Sequence, residues 1–293
     1  MHPNENRLAK LMMIFSMAMF GTLAPFVRQI PVSSGELALY RAMLAALLIG
    51  TYLLITRQRI AFERIGRELP LLLFSGVAMG FNWILLFEAY KYTTVSSATL
   101  SYYFAPVLVT AVSPFLFKER LTARQILCFG MSTLGIVMIT GVSGASGSGT
   151  DLIGILFGLG AALLYACVIL INKFIRNVTG IHRTLLQFLA AIAVLLPYVL
   201  STSGVTLHAM DAAGWLCLLI VGLVHTGVTY CMYFSALRHL PGQKAAILSY
   251  IDPLVAVLIS VLVLRESMTL MQLIGGALIL GFTLLNELSP SRH

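Results

Sequence analysis

"SYIDPLVAVLISVLVLRE", from Ser249 to Glu266, sets a carboxylate beside a proline in a segment otherwise as apolar as lipid. An earlier stretch, "SYYFAPVLVTAVSPFLFKE" from Ser101 to Glu119, repeats the pattern with alanine where the aspartate stands. Aligning Phe87 with Phe234, an offset of 147, extends the match over about forty residues. "FEAYKY" then meets "FSALRH", and Ala98, Tyr103, Pro106, Ser113, Glu119 and Gln125 meet Ala245, Tyr250, Pro253, Ser260, Glu266 and Gln272. Shared apolar composition produces leucine matches by chance; it does not align proline, glutamate and glutamine at one offset. The chain is a duplication.

Working outward, only 10% of the 293 residues are charged, against about 25% in soluble domains. Polar side chains are too few to cover a water-exposed surface, so the solvent is lipid. Ten apolar runs lie near residues 9–28, 35–56, 69–90, 95–117, 122–142, 152–173, 183–202, 212–236, 241–264 and 268–288. Each is long enough to cross a ~30 Å hydrocarbon core as a helix, and uninterrupted runs of this length exclude barrel strands. The first run follows Arg7 and Lys10 as a signal peptide would, but without an evident A-x-A site it reads as a retained helix. The expected fold is an all-α integral membrane protein with ten transmembrane helices.

The net charge of +8 does not indicate nucleic acid. With the amino terminus in the cytoplasm, 15 of the 19 lysines and arginines fall on inner links, three (Arg28, Lys91 and Arg265) on outer links, and Arg41 within the second span. That bias follows the positive-inside rule and puts both termini in the cytoplasm. An odd number of spans per repeat forces the second copy into the membrane from the other side. The fold is thus two inverted five-helix repeats, residues 1–142 and 152–293, joined by an outer Gly/Ser-rich linker at 143–151. Inverted repeats are an architecture of carriers, whose halves exchange conformations.

Two five-helix halves, each ending in proline, a basic-Glu pair and a Gln- and Gly-containing last helix ("KERLTARQILCFG" and "RESMTLMQLIGGA"), resemble the EamA family of the drug/metabolite transporter superfamily. The resemblance implies a ten-helix secondary transporter, often an exporter of amino acids or other small metabolites. It also implies a central cavity lined mainly by helices 1, 3, 4, 6, 8 and 9.

Asp252 is the first candidate site residue. A carboxylate near the midplane costs at least ~2.5 kcal/mol, so it faces protein or a wet cavity. There it suits the uptake and release of a proton or the binding of a substrate ammonium. Pro253 removes an N–H and predicts a kink, freeing the carbonyl of Ser249; Pro106 does the same to Tyr102. Tyr102, Tyr103 and Tyr250 lie nearer mid-span than interface-belt tyrosines do and are candidates to stack on or hydrogen-bond a substrate. His225 and Tyr230 in the eighth span, Asn82 and Trp83 at the aligned depth of the third, and Tyr165 in the sixth complete the substrate-binding set. Glu88 and Lys91 read as a solvated i, i+3 pair. Arg41 reads as snorkelling to the outer surface or pairing with Glu36 in a gate.

Cys128, Cys167, Cys217 and Cys231 sit inside spans without paired spacing and read as packing residues; neither a metal site nor a cofactor motif is found. The absence of HExxH, G-x-S-x-G and acidic clusters argues against an enzyme. The expected partners are a small-molecule substrate, a coupling proton and membrane lipids, with the chain a monomer or weak dimer in the cytoplasmic membrane. A lipid or multidrug translocase of the same fold is the alternative.

Overall fold

Apolar runs can satisfy their own backbone in lipid only as helices, and the computed structural model is helical in every regular element it describes. It describes residues 3–58, 65–66, 68–117, 122–146, 150–178, 180–240, 245 and 248–288. In chain order these form α1 (Pro3–Gly21), α2 (Leu23–Arg28), α3 (Ser34–Ile55), α4 (Leu69–Tyr92), α5 (Val95–Tyr102), α6 (Ala105–Phe117) and α7 (Ala123–Ser146). There follow α8 (Thr150–Asn172), α9 (Gly180–Ser201), α10 (Ala212–Leu219), a π-helical segment (Ile220–Val228), α11 (Thr229–His239), α12 (Ile251–Leu262) and α13 (Leu270–Glu287). Among the described residues, seven spans are long and apolar enough to cross a membrane, and three shorter apolar helices fall in the fifth, ninth and tenth runs. The basic-Glu pair Lys118–Glu119 and the inner-link residues Arg59, Arg64, Arg67, Lys244 and Arg292 lie outside the described residues.

The surface is apolar, and the interior holds polar side chains among its apolar ones. Phe115 is 86% exposed and Leu54 80%, values a soluble core residue would not have and a lipid-facing one does. Meanwhile Ser16, Ser75, Ser96, Ser97, Ser101 and Thr226 are buried between helices, where small residues let backbones approach and hydroxyls bond across. This is a multi-pass membrane protein.

Both prolines act where the sequence puts them. The fourth span breaks between α5 and α6 at Tyr103 (φ −71°, ψ 3°), and the ninth breaks at Tyr250 (φ −71°, ψ −8°). Pro106 and Pro253 thereby fall in a first turn, where a missing N–H has no intrahelical partner to lose. The expected kinks are interruptions, and the aligned tyrosines occupy them in one conformation. The duplicated glutamines also share a task. Gln272 closes a capping box with Thr269, and Gln125 exchanges the same bonds with Thr122, so each ties down the start of its half's last helix.

The main helix pairings recur when the halves are exchanged. α4 packs on α8 as α11 packs on α1; α9 meets α4 as α3 meets the π-helical segment; α5 and α6 meet α8 as α12 meets α1. At the centre of the α7–α13 crossing the approach is reciprocal. A Cβ on Gly135 would lie 2.6 Å from the Gly275 carbonyl oxygen, and one on Gly275 would lie 2.6 Å from that of Gly135. The two helices run antiparallel, since Arg124 near the start of α7 donates to the carbonyl of Leu285 near the end of α13 (2.9 Å).

Other boundaries depart from expectation. The first span is two helices broken at Thr22. α7 runs on to Ser146 and α8 starts at Thr150, so the Gly/Ser stretch read as linker is helical at its start. An established ladder adds a bond for each residue fixed and carries through weak formers. Residues 147–149 of that linker lie outside the described residues, and 150–151 already belong to α8.

Candidate functional site

The two breaks face one another across a cavity of about 320 Å³. That is within the range of small-molecule sites, ~300–1,000 Å³. Its walls come from both halves: α1, α3, α4 and α5 contribute Gly21, Arg41, Trp83 and Tyr102, while α8, α11 and α12 contribute Tyr165, Tyr230 and Asp252. At its floor the two repeats touch, because the Tyr103 hydroxyl donates to Oδ2 of Asp252 at 2.5 Å.

Aromatic rings are the commonest large side chains in the wall. Tyr102 stacks on Tyr165 (centroids 5.3 Å apart, planes at 27°) and meets Tyr103 edge-on (5.9 Å). Trp83 and Tyr230 both sit edge-on to Phe188, at 5.3 and 5.5 Å. Interlocked rings of this kind hold their orientation, giving the cavity rigid faces with hydroxyls at the edges. Seven of the nine sequence-predicted binding residues line it: Trp83, Tyr102, Tyr103, Tyr165, Tyr230, Tyr250 and Asp252. Pro106 lines it too, whereas Pro253 is buried and outside the lining.

Asn82 and His225 stand outside the lining. The Asn82 amide donates to the Ala161 carbonyl at 2.6 Å, tying α4 to α8, and the partner its depth demands is thus a backbone group. His225 shares a 3.1 Å hydrogen bond with Thr22 at the break in the first span and packs on Phe26 (ring centroids 5.0 Å). It belongs to the π-helical segment, where the hydroxyls of Thr226 and Thr229 reach back five residues to the carbonyls of Val221 and Val224 (2.7 and 2.8 Å). Asn172 accepts from Gln187 (2.9 Å) and is an anchor between α8 and α9.

Arg41 corrects the sequence reading. It does not snorkel and it does not pair with Glu36. The side chain is 3% exposed, its guanidinium lies 4.6 Å from the Trp83 ring centroid, and Nε donates to Thr226 at 2.7 Å. Glu36 instead closes a capping box with Ser33 and accepts from the Thr206 amide and hydroxyl at 2.6 and 2.7 Å. Helix α3 begins beneath the 202–211 loop, so two turns of depth counted from its end is the interior. Glu88 and Lys91 do pair, at 2.9 Å, with Lys91 exposed and Glu88 partly so.

A charge cluster lies outside the cavity lining and reaches it through Tyr90. Glu266, just past α12, accepts from Arg28 at the end of α2 (2.5 Å) and from the Val95 amide at the start of α5 (2.8 Å). The Ser260 hydroxyl also donates to Glu266. Arg28 in turn donates to the carbonyls of Tyr90 and Thr93, both at 3.1 Å. Four chain segments are latched together there. Among the described residues no group of three His, Cys, Asp or Glu side chains is placed to hold a metal ion.

The profile of the EamA-like transporter family matches residues 7–141 and again residues 152–287. An uncharacterized transporter of Bacillus subtilis is 30% identical over 257 residues, 87% of this chain and 81% of its own. A probable amino-acid metabolite efflux pump of Salmonella typhimurium is 27% identical over 74% of this chain and 76% of its own. One crystal structure superposes with a TM-score of 0.65 over 97% of this chain and 99% of its own, at 17% identity, which speaks to the fold alone.

Proposed function

The chain belongs to the EamA-like transporter family, and on that premise we propose that it is a secondary carrier exporting amino acids or related small metabolites by alternating access. Ten membrane helices would form two inverted halves, residues 1–142 and 152–293, in the cytoplasmic membrane with both termini inside. The observation that carries the reading is the cavity. It lies between halves whose main helix pairings interchange, it is lined from both, and the Arg28–Glu266 pair ties segments of both together beside it. A two-fold-related pair of broken helices can open opposite ends in turn, and the Tyr103–Asp252 bond joins the breaks. In the proposal Asp252 takes up the coupling proton or the substrate amine, the tyrosines and Trp83 hold the substrate body, and Pro106 and Pro253 preserve the breaks. The amino-acid class is supported by the Salmonella relative's name. A cavity this small suits a metabolite better than a lipid.

The test is transport by the reconstituted protein under an imposed pH gradient, with amino acids, sugars, organic bases and cationic drugs as cargo. Asp252→Asn retains an acceptor for Tyr103 but removes the charge. It is expected to lower transport at least tenfold, about 1.4 kcal/mol or more of lost interaction, and to flatten its pH dependence. An Asp252→Asn protein that transports at the wild-type rate with the wild-type pH profile refutes the role.

A further inference from the structure

A buried arginine in a membrane protein is expected to pair its charge or saturate its donors. Arg41 does neither. Of its five N–H donors, only Nε is committed, to Thr226. Among the described residues the guanidinium makes no further hydrogen bond and no ion pair. Its plane rests against Trp83 and, at 5.7 Å, Phe87. Packing of this kind orients a guanidinium but leaves its charge uncompensated.

Asp252 lies on the wall of the same cavity. Its carboxylate accepts one hydrogen bond, from Tyr103, and likewise makes no ion pair among the described residues. The two charges therefore do not pair with each other, and three tyrosines share the cavity wall with them. Tyr90, Tyr102 and Tyr230 each lie within electrostatic range of both Arg41 and Asp252. Each half supplies one pole, the cation from α3 and the carboxylate from α12.

We infer that the cavity selects a zwitterion, taking its carboxylate on the free Nη edge of Arg41 and its ammonium at Asp252, with the apolar body against the tyrosine rings. This rests on the carrier reading above and narrows it. The guanidinium fork suits two parallel bonds to a carboxylate, and tyrosine faces favour a neighbouring ammonium. A molecule carrying only one of the two charges leaves the other pole of the cavity unpaired, the situation in which a polar site discriminates most strongly. Neutral sugars and simple organic cations are excluded on the same ground.

The test uses three matched probes on the full chain in proteoliposomes: leucine, its decarboxylated amine (3-methylbutylamine) and its desamino acid (4-methylpentanoate). Wild-type protein is expected to move leucine about tenfold or more faster than either analogue. In Arg41→Met the preference for leucine over the amine collapses, while in Asp252→Asn the preference over the desamino acid collapses. Arg41→Lys keeps the charge but loses the fork, and is expected to raise KM for leucine with little change in kcat. If Arg41 only packs against Trp83, Arg41→Met lowers all probes in proportion and leaves the ratios intact, which overturns the inference. Should Arg41→Met fail to fold, the ratio in Arg41→Lys and the Asp252→Asn arm still decide. Movement of a sugar or a monocation by wild-type protein without leucine overturns the zwitterion and spares the carrier. Movement of nothing in the wider panel overturns both.

Discussion

The cluster at Glu266 makes a prediction with a magnitude. Its carboxylate collects a charged donor from Arg28, the amide of Val95 in the first turn of α5, and the Ser260 hydroxyl. The amide belongs to a helix terminus, where negative charge is favoured. Neutral hydrogen bonds contribute about 0.5–1.5 kcal/mol each, and bonds to charged groups about 1.5–3. All three meet a charged carboxylate, so the gross sum is about 4.5–9 kcal/mol, but the side chains of Arg28 and Glu266 are 31% and 12% exposed. Water competes at the rim and exposed pairs are worth little. Discounted, the latch favours its closed state by about 2 kcal/mol, or roughly a 30-fold shift in the open-to-closed ratio on removal.

Glu266→Ala is the perturbation, in a background whose four native cysteines are replaced and with Thr99→Cys as reporter in the cavity wall. An impermeant maleimide reads how often the latch opens. Labelling from the side that the proposed orientation makes external should accelerate about 30-fold. Arg28→Met should act similarly, and the double variant should go little further, since two residues of one cluster are not additive. Unchanged labelling in both single variants refutes the latch. Acceleration seen only with reagent on the opposite side keeps the latch and reverses the proposed orientation.

Two other perturbations test the architecture. Gly135→Val puts a branched side chain where a Cβ would already lie 2.6 Å from the Gly275 carbonyl; overpacking should destabilise the protein by about 1–3 kcal/mol, read as a lowered melting temperature in detergent, whereas the same change at the unobstructed Gly130 should cost far less. Pro106→Ala and Pro253→Ala permit continuous helices through the breaks, so each should leave helix content and expression intact while lowering transport severalfold, and wild-type transport in both would show that the breaks are held without proline.

The helices were legible because hydropathy alone dictates them in lipid, and the breaks because proline has one steric consequence wherever it stands. Glutamine at 125 and 272 was legible as a match though not as a cap, since its partner threonine is ordinary until the helix start is located. Arg41 was misread for a physical reason. Depth counted from the nearest helix end equals depth in the membrane only if that end is at the surface, and the 202–211 loop covers it through Glu36 and Thr206. Arg28 counted only as a topology charge, because its partner lies 238 positions away. The π-helical segment left no periodic trace, as uniform hydropathy cannot separate a five-residue step from a four-residue one. His225 was legible as buried and polar, but the break at Thr22 that it serves was not.

What the duplication shares and what it does not now have distinct physical meanings. Breaks, caps and crossings recur in both halves because they are backbone devices, and a backbone device must work in either orientation if two halves are to trade conformations. The buried charge at the cavity and the buried histidine do not recur. Asp252 aligns with Ala105, and the polar pair Thr22–His225 has apolar Ala78 at the aligned position of His225. A substrate needs to be held once, by one set of poles, so selection on the site breaks a symmetry that selection on the fold maintains. Placing Arg41 in one half and Asp252 in the other has a further consequence for a zwitterionic cargo. Any rocking of the halves changes the separation of the poles, so a ligand bridging both favours the separation that fits it. The carrier's conformational equilibrium then responds to cargo through two contacts, and a single-charge analogue, gripping one half only, exerts no such bias.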